Sequence, residues 1–301
     1  MSWKLSALAS KSAVEAALDR RDETIGWDES IVLTAFEVDP EEPDVWRLEA
    51  YTPEKPCEAE REAVHALFND PAPPILAEKL PDTDWVAESQ KGVDPVCAGR
   101  FRVRTPDHAP LADGTLTEFV IPAAQAFGTG QHETTAGCLE MLDTMHAQGL
   151  CPRTVADIGT GTGLLAFAAL DLWPRAVGTA SDIDPVCGPA VVGNCELNGV
   201  TLGTGRGQLA MVIADGMDDP ALQARAPFDL LLANILAGPL IAMAPDFARA
   251  TAPRGSILLA GLLERQEADV RAAYRRAGFR LHRRIVNGDW SILWLRHRFR
   301  G

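Results

Sequence analysis

An α/β chain built on a doubly wound parallel sheet, with a smaller α+β module ahead of it, is the fold class this sequence predicts. Three observations predict it. The apolar run Val155–Ile158 reaches a glycine turn, Gly159-Thr160-Gly161-Thr162-Gly163, that passes straight into Leu164–Leu170. That is the pattern of a buried strand, a tight turn and a helix opening on the turn. Phe228–Ala233 and Ser256–Ala260 are continuous apolar runs, as strands covered on both faces require. Charge divides the chain: residues 1–95 hold 9 lysines and arginines against 22 acids, and residues 96–301 hold 19 against 20. Two surfaces so different point to two domains.

The chain has 301 residues, 47% of them hydrophobic, enough for two cores. No apolar run approaches the ~18 residues of a membrane span, and the first ten residues are too weakly apolar for a secretory signal. Six cysteines stand without a C-x-x-C pair, which favours reduced thiols in the cytoplasm over a disulfide framework or zinc site. The net charge is −14. Its acidic first segment argues against a nucleic-acid substrate and fits either a basic protein partner or a surface kept soluble by charge.

In chain order, Lys4–Ala9 reads as a strand and Ser12–Arg21 as a helix. Ile31–Val38 and Val45–Tyr51 are strands joined by a proline-bearing turn, Cys57–Asn69 is an amphipathic helix, and Ile75–Glu78 a last strand. This β-α-β-β-α-β order is the ferredoxin-like arrangement, assigned to residues 1–82. Residues 83–99 read as a linker and 100–301 as the larger domain. There, Arg100–Arg104 and Glu118–Ile121 are strand-like and a helix is expected from about Thr134 to Ala147. Pro239–Thr251 and Glu264–Ala277 read as helices between strands. Phe279–Val286 and Trp290–Leu295 flank Asn287-Gly288-Asp289, a hairpin signal.

The glycine turn offers backbone N–H groups to a ligand at a helix N-terminus. Gly161-Thr162-Gly163-Leu164-Leu165-Ala166 fits the dinucleotide pattern G-x-G-x-x-A, and Asp182, about 20 residues on, stands where an acid holds ribose hydroxyls. An adenosine-bearing ligand follows from either reading. Asp157 at the strand end would repel a pyrophosphate and welcome a cationic amino group, which favours S-adenosylmethionine. Asn234 closes the apolar strand Leu230–Ala233, at the end where such sheets bind ligands. Its carbonyl can accept from an amine and leave the nitrogen lone pair free to face a methyl sulfonium; an asparagine that merely closes a turn is the plain alternative. Asp215 follows another apolar run and could accept from an adenine amino group, or simply form an Asp-Gly turn. The loop Ala126–Thr135 carries two glycines and three threonines, able to line a cleft or to lead into a capped helix with Thr135 at its start. His132 has no second histidine or acidic cluster at ligand spacing, so no metal is expected.

Phe-Gly-Thr-Gly-x-His-x-Thr-Thr at 127–135, Asp-x-Gly-x-Gly-x-Gly at 157–163, Asp-Ile-Asp-Pro at 182–185 and Asn-Ile-Leu-Ala-x-Pro-Leu at 234–240 together resemble the PrmA family. These are bacterial methyltransferases that modify protein eleven of the large ribosomal subunit. The motifs cover residues 85–301; the acidic module matches in arrangement more than in motif. The resemblance implies a class I, seven-stranded, Rossmann-like methyltransferase domain behind a ferredoxin-like substrate-recognition domain. It implies S-adenosylmethionine as cofactor and methyl transfer to lysine ε-amines and the N-terminal α-amine of that ribosomal protein, free or on the ribosome. Thr135, Gly159, Asp182 and Asn234 would contact the cofactor, with Phe127, Thr129 and Gly161 nearby, and Asn234 would also orient the amine. Thr160, often cysteine in the family, and Thr162, commonly serine, depart from its pattern. A cytoplasmic monomer is expected. The alternatives are a methyltransferase of the same fold acting on another protein or a small amine, a NAD-dependent oxidoreductase, and a non-catalytic assembly factor.

Overall fold

The computed structural model describes residues 3–23, 27–28, 31–38, 44–69, 71–79, 94–111, 114–122 and 131–298, the side chains of Asp19, Asp22, Glu23, Gln131 and His132 excepted. The chain divides into two compact units, 1–88 and 89–301.

In the first unit the order is β1 (Trp3–Ser10), α1 (Lys11–Glu23), β2 (Val32–Glu37), β3 (Val45–Thr52), α2 (Glu58–Ala66) and β4 (Leu76–Lys79). The sheet runs β2-β3-β1-β4 with every pair antiparallel. Strand alternation sends Leu5 and Ala7 of β1 and Leu48 and Ala50 of β3 to one face. There they meet Val14 and Ala17 of α1 and Val64 of α2 in a closed apolar core. Glu49 points to the opposite face yet is buried. Lys4 Nζ at 3.1 Å and the Tyr51 hydroxyl, which donates to Glu49 Oε2, hold its charge. Burial and that carboxylate push the Tyr51 phenol up to about 12.

The second unit begins with β5 (Val96–Ala98), β6 (Phe101–Arg104) and β7 (Thr117–Val120), a small sheet of its own. β5 lies inside the stretch expected to be linker; its three residues pair with β6, a strand too short for sequence periodicity to register. Then come α3 (Gln131–Ala147), β8 (Thr154–Ile158), α4 (Leu164–Leu172), β9 (Val177–Asp182), α5 (Cys187–Asn198), β10 (Thr201–Leu202), β11 (Gln208–Ile213), α6 (Pro220–Gln223), β12 (Phe228–Asn234), α7 (Ala237–Ala242), α8 (Ala244–Ala250), β13 (Thr251–Leu263), a 3₁₀ turn (Glu264–Gln266), α9 (Glu267–Arg276), β14 (Phe279–Asn287) and β15 (Trp290–His297).

The large sheet runs β10-β11-β9-β8-β12-β13-β15-β14. It is parallel from β10 to β13 and ends in the antiparallel pair β15-β14. Seven strands were expected, and the eighth is the two-residue edge strand β10. Chain order reverses across β8, which has β9 on one side and β12 on the other, so a crevice opens over its carboxyl end. α4 is apolar nearly all round and buried on almost every residue, as a helix covered from all sides must be.

Three expectations change in detail. Pro239–Thr251 is two helices rather than one: Pro245 has no N–H to continue the ladder, so α7 ends and α8 starts about Met243. Glu264–Ala277 opens as a 3₁₀ turn before α9. α3 starts at Gln131, directly after a glycine and with Glu133 complementing the positive end of the helix dipole. Thr135 therefore lies in the second turn and not at the helix start.

Candidate active site

The carboxyl ends of β8, β9, β11 and β12 lie side by side, and of the sequence-predicted residues Asp157, Gly159, Gly161, Asp182, Asp215 and Asn234 sit at them, while Thr135 lies on α3. After β8 the chain makes its glycine turn, held from below: the Gly159 and Thr160 N–H groups donate to Ser181 O of β9 at 2.8 and 2.9 Å. Gly159 has φ +70°, and a Cβ there would lie 2.3 Å from Ile235 Cγ2. Glycine is thus required on two counts, backbone angle and the close pass of the loop after β12. Gly161, φ +55°, is different: a Cβ there would meet nothing within 4 Å. Its backbone faces open space.

Asp182 ends β9. Its Oδ2 accepts the Gly161 N–H at 2.8 Å and its Oδ1 accepts the Asp184 N–H at 3.1 Å. One carboxylate thereby fixes both the glycine turn and the turn after β9, and each oxygen keeps a lone pair for a further donor. Ile213, the last residue of β11, pairs in register with Asp182. Ala214 N–H then donates to Asp182 O at 2.8 Å, which sets exposed Asp215 just beyond the same edge. Ile183 and Leu236 are 63% and 70% exposed here, apolar surface that sequence patterning did not single out because each is one isolated residue in a loop.

Asp157 is only 1% exposed. Its Oδ2 accepts the Thr160 hydroxyl at 2.6 Å and the Ala166 N–H at 3.2 Å, so it braces the turn from inside. Direct attraction of a cationic group, the role the sequence favoured, meets a carboxylate already enclosed and bonded to the loop. Burial pushes its acid up to about 6; the two hydrogen bonds oppose that shift and the charge of Asp182 adds to it.

Asn234 ends β12, half-buried, and its Nδ2 donates to Thr134 Oγ1 at 3.4 Å across 100 residues of sequence. Thr134, buried on α3, is a site residue that sequence reasoning passed over in favour of its half-buried neighbour Thr135. Both threonines lay in the same motif, and only the helix phase tells which one faces β12. The first turn of α3 is itself held by the C-terminal hairpin, where Asn287 Nδ2 donates to Glu133 O at 3.0 Å. A second residue missed is Asn194 of α5, nearly buried, which donates to Thr162 O at 3.0 Å and pins the far side of the turn. Its signal was an amide in the middle of a mostly apolar helix that ends on a second one, Asn198. Phe127 and Thr129 lie outside the described residues.

The family model for ribosomal protein L11 methyltransferase (PrmA) matches residues 6–298. The chain belongs to this family. Among its relatives are the ribosomal protein L11 methyltransferases of Agrobacterium fabrum, 39% identical over 89% of this chain and 90% of that protein, and of Rhizobium etli, 38% identical over 96% and 97%. The crystal structure of ribosomal protein L11 methylase from Lactobacillus delbrueckii subsp. bulgaricus superposes with a TM-score of 0.55 at 26% identity, over 69% of this chain and all of that one. This family member is a methyltransferase, and its large sheet is the Rossmann-like α/β sheet of that class.

Proposed function

We propose that the protein moves methyl groups from S-adenosylmethionine to lysine ε-amines and the N-terminal α-amine of ribosomal protein L11, free or on the ribosome, in the cytoplasm. The observation that carries this reading is the tether between Asn234 and Thr134. With Nδ2 committed to Thr134, the Asn234 carboxamide has its Oδ1 left as the acceptor toward the crevice. An amine that donates one N–H to Oδ1 is held by that bond with its lone pair turned away, and fixed alignment is the main demand of a displacement on an activated methyl.

The residues present fit an adenosine-bearing cofactor. Asp182 retains acceptor capacity on both oxygens for ribose hydroxyls, and Gly161 leaves unfilled space above its backbone where a ligand can approach. Exposed Ile183 and Ile213 offer apolar surface beside Asp182, and Asp215 stands as an acceptor for an exocyclic amine. Gly159 shapes the turn. Bound S-adenosylmethionine supplies a methyl group already activated by a sulfonium. The chain's part is to hold the amine at Asn234 and align it on that methyl.

The N-terminal unit, with its β-α-β-β-α-β order and acidic composition, is assigned to recognition of the basic substrate. The test is incubation of the protein with labelled S-adenosylmethionine and purified L11, followed by mass mapping. Methyl groups on lysine and N-terminal amines, absent with Asn234→Ala, support the reading; methylation of other proteins with L11 untouched would leave the chemistry and remove the substrate.

A further inference from the structure

The opposite end of the large sheet carries a basic cavity that methyl transfer does not use. It has a volume of about 740 Å³ and is lined by Arg153, Arg175 and Arg206 together with Thr154, Pro227 and Asp229, among others. The three arginines precede β8, β9 and β11, neighbouring strands of the sheet. Backbone bonds lock their loops in a row. The Gly207 N–H donates to Ala176 O at 2.7 Å, and the Val177 N–H donates to Arg153 O at 2.8 Å. The Arg153 N–H in turn donates to Asp229 Oδ2 at 2.8 Å. Gly207, φ +70°, packs so closely that a Cβ would lie 2.7 Å from Pro174 O, which clamps the Arg206 loop onto the Arg175 loop.

Charge in this cavity is unbalanced. Asp229 is the one carboxylate among the described residues that line it, and it already serves the Arg153 N–H and, at 3.6 Å, the Arg153 guanidinium. Arg175 and Arg206 are exposed and have no hydrogen-bond or ion-pair partner among the described residues. Arg254, beside the cavity-lining Pro253, holds φ +65°, a left-handed angle at which a long side chain is unusual and costly. The basic row continues past the cavity at the same end of the sheet: Arg296 of β15 pairs with Ser256 near the start of β13 and with Arg280 of β14. Arg280 donates to Phe279 O at 2.7 Å and Arg275 O at 3.2 Å, while Arg296 is exposed and extends the basic edge.

We propose that this end of the sheet binds the phosphate backbone of an RNA strand. Arginines that precede three adjacent strands, whose backbones span about 10 Å, set a row of cations along the sheet edge, and successive phosphates of one strand can engage them in turn. The planar guanidinium fork matches phosphate oxygens. The arginines are exposed and the row runs on from the cavity, which suits an extended polyanion crossing the sheet edge rather than a small enclosed ligand. The site lies at the amino ends of the strands, away from Asn234, so RNA held here leaves the amine site open.

The test is fluorescence anisotropy of the full-length protein with a labelled single-stranded RNA oligonucleotide across a salt series. Wild-type protein binds with an affinity that falls as salt rises. Arg175→Ala/Arg206→Ala weakens binding at least 10-fold and flattens the slope of log K against log salt by about 1.4, two contacts at ~0.7 each. Its melting temperature and its methylation of free L11 stay as in wild type. Arg61→Ala, in the first unit, leaves binding unchanged. No binding by wild type, equal binding by the double variant, equal loss in Arg61→Ala, or tighter binding of a poly-aspartate peptide than of RNA would each overturn the proposal. So would complete displacement of the RNA by millimolar inorganic phosphate with no change on adding longer strands.

Discussion

The same three strands are acidic where they end and basic where they begin. β8, β9 and β11 finish at or near Asp157, Asp182 and Asp215, while Arg153, Arg175 and Arg206 stand just before them. Helix dipoles favour this sorting: helices after parallel strands present their N-termini at the carboxyl ends of the strands and their C-termini at the amino ends. What differs is how tightly the charges are held. Asp157 and Asp182 are bonded to the glycine turn, to α4 and to the turn after β9, at 2.6 to 3.2 Å, whereas Arg175 and Arg206 project into solvent. One end is pre-organised for a ligand of fixed shape and the other is adaptable, able to follow a flexible polyanion.

The comparison breaks most sharply at Asn234. If the carboxyl end is the reaction site, Asn234→Ala should lower kcat about 100-fold, read as labelled methyl incorporated into L11, with a smaller loss of cofactor affinity from the contact that the family resemblance gives Asn234. An unchanged rate would leave Asn234 as a turn residue. Asp182→Ala should come next. Losing a charged acceptor costs about 1.5–3 kcal/mol, so S-adenosylhomocysteine should bind at least 10-fold more weakly by calorimetry, alongside some loosening of the turn that Asp182 also holds. Equal affinity in the variant would remove the ribose role.

Asp157 sharpens the comparison through pH. Its acid is raised from 3.8 to about 6 in the folded protein, so the folded state binds the proton more tightly than the unfolded chain. Stability from this group is present in full below pH 4, falls as pH rises from about 4 to about 6, and is flat above. The drop is of order 3 kcal/mol. Melting curves of wild type and Asp157→Asn across pH 4–8 should diverge only within that window; parallel curves throughout would mean that the carboxylate is not held as the structure has it. The smallest effect belongs to Thr134→Val, which deletes the acceptor for Asn234 Nδ2 at nearly constant volume. The loss of one neutral hydrogen bond, about 1 kcal/mol, should slow methyl transfer several-fold while cofactor affinity holds. A matching fall in affinity would point to general damage to the cleft.

Much of this site was legible because its residues sit at strand ends, and strand ends are visible as the close of an apolar run. Asp157, Gly159, Gly161, Asp182 and Asn234 all follow that rule. Thr134 was harder, since a helix turns 100° per residue and with its start misplaced by three positions the threonine that bonds Asn234 cannot be told from its neighbour Thr135. Asn194 was invisible for a related reason: its role depends on which face of α5 meets the glycine turn, a matter of packing between distant segments. In the fold, β5 escaped because its three residues are fewer than the four or more over which alternation can be read, and the break at Met243 because it interrupts the helical run at a single residue. The arginine row escaped for a further reason. Its members are spread from residue 153 to 206, and only the sheet order brings them side by side.

The bond from Asn287 to Glu133 O carries a consequence in time rather than in space. It ties the helix turn that bears Thr134 to a hairpin turn near the end of the chain, and β15, the last strand, lies between β13 and β14 inside the sheet. Domains fold as units, the N-terminal one first during synthesis. The first unit can therefore form while the second is unfinished, but the support that Asn287 gives the first turn of α3 exists only when residues 279–297 have been made and docked. A product truncated before residue 279 would lack that tie to the helix that bears Thr134.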